Sequence, residues 1–181
     1  MRCSMLVALV ASLVAASVGC GADPDPVDPL DPELLRELAR AQGTASGSAR
    51  SGTFVLELAT DSCDCPSVEF EGQAVDICTF AALSGAAVEL LEGSGVLAIA
   101  DGTESMFMML RGAIEADGSF IVAETRNLTT LVGPLDALRR MDGQFLDESS
   151  AEGWAGQRLI GELGGEHVDC RWIGSFVATR T

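Results

Sequence analysis

The sequence predicts an all-β fold: an antiparallel meander of about eight strands that closes into a small barrel or barrel-like sandwich. A signal peptide, a Pro-rich tether and one short helix precede it. Three observations carry this expectation. Apolar residues alternate with polar ones, as in Phe54, Leu56 and Leu58, Phe120 and Val122, and Cys170, Trp172, Gly174 and Phe176, the period of strands with one buried face. Turn signals follow one another at hairpin spacing: Gly93-Ser94-Gly95, Asp101-Gly102, Asp117-Gly118 and Gly164-Gly165. A pattern apolar-x-Gly-x-apolar recurs at Leu110–Ile114, Met141–Phe145, Leu159–Leu163 and Trp172–Phe176. In a strand each such glycine shares a face with its two large neighbours. Glycine there weakens the strand unless strong coiling or a neighbouring aromatic compensates. The repeat therefore favours a curved, closing sheet.

Composition limits function. The 181 residues carry 27 acids against 11 basic residues, a formal charge of −16, with one His and no Tyr. So acidic a chain excludes nucleic acid as a partner, because phosphates are neutralised by clustered Lys or Arg. A single His makes general acid–base catalysis of the usual kind unexpected. No Gly-x-Ser-x-Gly, HExxH, P-loop or dinucleotide fingerprint occurs, so no catalytic residue and no cofactor is implied.

Taken in order, residues 1–19 read as a signal peptide: a short n-region with Arg2, then an apolar run from Met5 to Val18. That run is too short for a comfortable membrane span of ~20 residues. It ends in Val18-Gly19-Cys20, which resembles the lipobox of a bacterial lipoprotein precursor. The resemblance implies lipidation of Cys20 and a membrane partner reached through that lipid. Gly21 in place of Asp then implies no inner-membrane retention, hence a bacterial envelope protein bound for the outer membrane. Ordinary signal-peptide cleavage, with Ser17 and Gly19 as the small residues, is the rival. Cysteine parity favours lipidation: cleavage before an unmodified Cys20 leaves an odd number of thiols, whereas lipidating it leaves Cys63, Cys65, Cys78 and Cys170 to pair.

Residues 20–52 read as the tether. Pro24, Pro26, Pro29 and Pro32 alternate with Asp23, Asp25, Asp28 and Asp31, an extended acidic spacer that spans up to about 40 Å at ~3.1 Å per residue. Asp31-Pro32-Glu33 opens a short helix over 32–42, with Leu34, Leu35, Leu38 and Ala41 on one stripe, expected to dock on the domain. Thr44 to Gly52 has the composition of a flexible linker. The β domain follows, 53–181, with one helical interruption predicted at Gly133–Arg140 from Pro134 and an apolar spacing of three.

The inward glycines admit two readings. A filled core is the expectation for a small barrel. The alternative is a cavity for a small apolar ligand, lined by Met106, Met108, Leu110, Trp172 and Phe176. For the cysteines, export predicts two disulfides. A Cys63–Cys65 bond would close a strained ring, so each is expected to reach separately to Cys78 or Cys170, in either order. The alternative is a metal site of Cys63, Cys65, His167 and Cys170, disfavoured by export and by the absence of C-x-x-C spacing. The functional expectation is a non-catalytic binding or interaction module on an envelope lipoprotein, meeting an envelope protein. A carrier of a small apolar ligand and a metal-dependent protein are the alternatives.

Overall fold

A computed structural model describes residues 27–70, 72–78, 85–101, 109–130, 133–163 and 165–181. The chain runs α1 (Pro32–Leu38), β1 (Gly52–Cys63), β2 (Ser67–Phe70), β3 (Gln73–Asp76), β4 (Ala86–Gly93), β5 (Val96–Asp101), β6 (Met109–Ile114), β7 (Ser119–Thr130), β8 (Gly133–Phe145), β9 (Ser150–Leu163) and β10 (Glu166–Arg180). β4 to β10 form an antiparallel meander, and β1 closes it by pairing with both β10 and β4. The result is the closed eight-stranded barrel the alternation predicts, with β2 and β3 as a separate hairpin. The lower end carries the β4–β5, β6–β7 and β8–β9 turns; the upper end carries the β2–β3 excursion.

Alternation sorts the side chains. Phe54 and Leu56, Val88 and Leu90, Leu97 and Ile99, Phe120 and Val122, and Trp172 and Phe176 are buried together inside. Charged pairs such as Arg140–Asp142 and Arg158–Asp169 lie on the outer wall. Apolar inside and charged outside is the inverse of a transmembrane barrel, whose outer band faces lipid. The repeat glycines fall inside, as their phase requires. The rings of Phe120 and Phe176 cover Gly143, and the Trp172 ring covers Gly174. Phe120 stands 5.4 Å from Phe145 and 6.2 Å from Phe176, and Phe54 stands 6.2 Å from Phe145. These rings fill the lower interior.

The segment predicted to be helical, Gly133–Arg140, is instead the first half of β8. The apolar spacing of three arises because this strand is buried on both faces. Leu135 and Ala137 point inward against Leu159 and Val168, while Leu138 points outward beneath Leu35 of α1. Pro134 sits near the strand's start, where a missing N–H is tolerated.

α1 is shorter than the predicted 32–42. Its first turn matches the sequence signal: the Asp31 carboxylate accepts the N–H groups of Glu33 and Leu34, and Pro32 occupies the first turn. Beyond Leu38 the chain tightens, with Arg40 and Ala41 donating to Glu37 and Leu38. The fully buried Leu35 packs on Ala123 of β7 and Leu138 of β8. That docking makes so short a helix tenable.

Residues 44–52, read from composition as a flexible linker, form a plug across the lower end. Gly43 N–H donates to the Gly95 carbonyl and Ala45 N–H to that of Ile114, at 2.8 and 3.1 Å. The Glu92 carboxylate, pointing inward and almost wholly buried, accepts both the Arg50 N–H and its guanidinium at 2.9 Å. Arg50 lies over Phe145, and Arg180 lies over Phe54 while donating to the carbonyls of Ala49 and Ser51. Small residues suit this path because the plug's backbone runs directly against the turns.

Candidate functional site

With the lower end plugged and the β7–β8 wall under α1, the upper end is where the barrel presents its most unusual chemistry. Four inward positions stand opposite one another across adjacent strands: Glu124 on β7, Arg139 on β8, Gln157 on β9 and Trp172 on β10. Arg139 Nη1 donates to Glu124 Oε2 and Nε donates to Gln157 Oε1, both at 3.0 Å. Arg126, one inward step higher on β7, stands 3.8 Å from Glu124 Oε1. Trp172 Nε1 donates to Thr60 Oγ1 at 2.9 Å, where β1 shifts register between Thr60 and Ser62. This row crosses the interior above the apolar core. The Glu124 and Arg139 side chains are only 7% and 13% exposed, so each depends on the other for its charged state to be tolerated.

Above the row the β2–β3 hairpin acts as a cap. Val68 of β2 and nearby Ile77 pack on Leu135, Ala137, Leu159, Val168 and Cys170. Two disulfides tie it down. Cys63–Cys78 closes the excursion at its base, and Cys65–Cys170 bolts it to β10. Each member of the 63/65 pair thus reaches a separate partner, and the order that spacing left open is resolved. Asp64, between the two, accepts the Arg171 N–H and donates its own N–H to the Arg171 carbonyl.

The other candidate residues divide. Leu110, Trp172 and Phe176 are 1%, 3% and 2% exposed and pack in the main core, Trp172 at its upper edge within the polar row. Met106 and Met108 lie outside the described residues. Two shallow concavities, one by Glu33, Arg36, Glu37 and Arg40 and one by Glu57, Ala59, Ser175 and Val177, lie on the outside of the barrel. His167 is exposed opposite Glu162, and its odd position on β10 sends it outward while Cys170 points inward. The three sulfurs of the set Cys63, Cys65, His167 and Cys170 are all in S–S bonds, which leave no thiolate to ligate a metal. Among the described residues no group of three or more His, Cys, Asp or Glu is placed to hold a metal.

Sequence reasoning missed the polar row. Glu124 is in phase with Phe120 and Val122, and Arg139 with Met141 and Phe145, so the signal was present. Reading Gly133–Arg140 as helix removed Arg139 from the inward phase.

The fold and site define a class: a closed antiparallel barrel plugged at one end by its own N-terminal segment and capped at the other by a disulfide-tied hairpin. The chain matches no family model, and no curated protein or solved structure matches it.

Proposed function

We propose that this chain is a bacterial envelope lipoprotein, anchored through Cys20, whose barrel is a non-catalytic binding module that meets another envelope protein through its hairpin-capped upper end. The observation that carries the reading is the pair of disulfides at that end. Such bonds persist in oxidising compartments, and the lipobox-like Val18-Gly19-Cys20 is a route to one. The aromatic filling of the lower interior favours a surface over a buried apolar pocket. The upper end offers a partner a rigid platform, since the cap is bolted at both ends of its hairpin.

The full chain expressed in a Gram-negative host tests this. The wild type is expected in the membrane fraction with an acylated N-terminal cysteine, and Cys20→Ala in the soluble fraction. Native mass spectrometry of the protein is expected to give a polypeptide mass about 4 Da below the reduced formula, as two disulfides require, with no other non-covalent mass. Wild-type protein that is soluble and unacylated overturns the anchor. Additional mass that leaves on denaturation overturns the interaction module in favour of a carrier.

A further inference from the structure

The outer wall of β8, β9 and β10 carries Arg140, Arg158 and Arg171. Arg158 and Arg171 are direct cross-strand partners, and like charges in that position repel unless anions stand between them. Two carboxylates do. Asp169 accepts Arg158 Nε and Nη2 at 2.7 Å each. Asp28, from the tether, accepts Arg171 Nη2 at 2.6 Å and Nη1 at 3.2 Å, and Arg158 Nη1 at 3.3 Å. One tether carboxylate therefore bridges both arginines. Its neighbours are held too: Arg140 Nη1 donates to the Pro29 carbonyl at 3.4 Å, and Leu30 is fully buried.

Asp28-Pro29 belongs to a series, Asp23-Pro24, Asp25-Pro26, Asp28-Pro29 and Asp31-Pro32. At Asp28 the segment is a turn: the Asp31 N–H donates to the Asp28 carbonyl and the Leu30 N–H to Asp28 Oδ1, both at 3.0 Å, so the carboxylate is presented to the wall by its own local backbone. Charge-assisted bonds to guanidinium are the strong kind.

We propose that Arg158 and Arg171 form a docking site for an Asp-Pro segment, occupied in cis by Asp28, which turns the tether from a free spacer into a latched strap. With Asp28 docked, the leash from Cys20 ends at residue 27 in sequence. Once Asp28 is released and Leu30 and Leu35 follow it off the wall, α1 loses the packing that supports it, and seven residues do not stay helical unaided. The leash then runs to Gly43, which the plug still fixes to Gly95, and gains residues 28–42, about 45 Å when extended at ~3.1 Å per residue. The barrel thus has a near and a far position relative to its anchor. The leash lengths rest on anchoring at Cys20; the latch does not.

Hydrogen exchange on the full mature chain, purified from membranes in detergent, tests it. In wild type the amides of residues 30–38 are expected to be protected. Asp28→Asn should speed their exchange by about tenfold or more, the loss expected for charge-assisted bonds, and leave the β7–β10 amides unchanged. Arg158→Gln with Arg171→Gln should do the same, and adding Asp28→Asn to that pair should do nothing further. Asp28→Glu, which keeps the carboxylate, should retain protection. Equal exchange in Asp28→Asn and wild type, or an unprotected 30–38 segment in wild type, overturns the latch. The mass of the N-terminal peptide reports the lipid separately; its absence overturns the leash lengths and leaves the latch standing.

Discussion

At Gly143 the space for a side chain is already filled. A Cβ there would stand 2.6 Å from Phe120 Cζ, 2.7 Å from Phe176 Cζ and 2.9 Å from the Glu152 carbonyl oxygen. Two of those neighbours are ring tips locked in the aromatic cluster, so they yield only by disturbing each other. Gly143→Ala is expected to destabilise the barrel by about 1–3 kcal/mol, the range for overpacking. Gly93, in the same barrel but with open space around it, serves as the control: Gly93→Ala should change stability by less than about 0.5 kcal/mol. Denaturant titration of both variants measures the contrast. A second residue-scale prediction concerns acid. Hydrogen bonds from Arg158 hold the Asp169 carboxyl below its ordinary 3.8. A native value lowered in this way contributes stability that is present above the unfolded value and lost as pH falls through the native one. The denaturation midpoint should therefore decline below about pH 4, and Asp169→Asn should flatten part of that decline. The turn carboxylates Asp117 and Asp147, lowered by bonds from Ser119 and Ser149, act in the same direction.

Among elements, the two disulfides differ most in the length of chain they close. Cys65–Cys170 spans 105 residues and Cys63–Cys78 spans 15. Loop-closure entropy makes the longer one worth about 4.7 kcal/mol and the shorter about 3 kcal/mol. Replacing Cys65 and Cys170 by Ser is thus expected to destabilise more than replacing Cys63 and Cys78, as measured by thermal unfolding; the reverse order would mean that cap packing outweighs chain entropy. Elements were legible in the sequence where one face alone is buried. β10 shows plain alternation, with Val168, Cys170, Trp172, Phe176 and Ala178 buried in alternate positions, and β1 does so over Phe54 and Leu56. β8 was misread because Leu138 answers to α1 on the outside while Leu135 answers to Leu159 on the inside. Two superposed patterns imitate a helical spacing. The plug was illegible for another reason. Its hold comes from Glu92, Ile114 and Arg180, partners that are remote in sequence and leave no periodicity in Thr44–Gly52. The polar row stood between these cases: its phase was visible, but its pairing depended on strand registers that a sequence does not state.

For the whole molecule, charge is the dominant fact. The chain is formally −16, and folding gathers most of that charge onto the surface of one small barrel, where like charges repel over roughly a Debye length of ~10 Å at 0.1 M salt. Screening should relieve the repulsion, so the melting temperature is expected to rise as sodium chloride is increased from about 10 to 200 mM, across which that length shortens several-fold. The internal pairs Glu92–Arg50 and Glu124–Arg139 are shielded from solvent and should be little weakened by the same salt. The tether contact lies on the outer wall, with Arg171 41% exposed and Asp28 27% exposed, and should weaken. Salt therefore acts with opposite signs on two parts of one molecule: it stabilises the barrel and loosens the strap. Thermal unfolding and exchange at residues 30–38, followed over one salt series, separate the two. If both move together, the docked segment is an integral part of the barrel's cooperative unit, and the near and far positions are not independently populated.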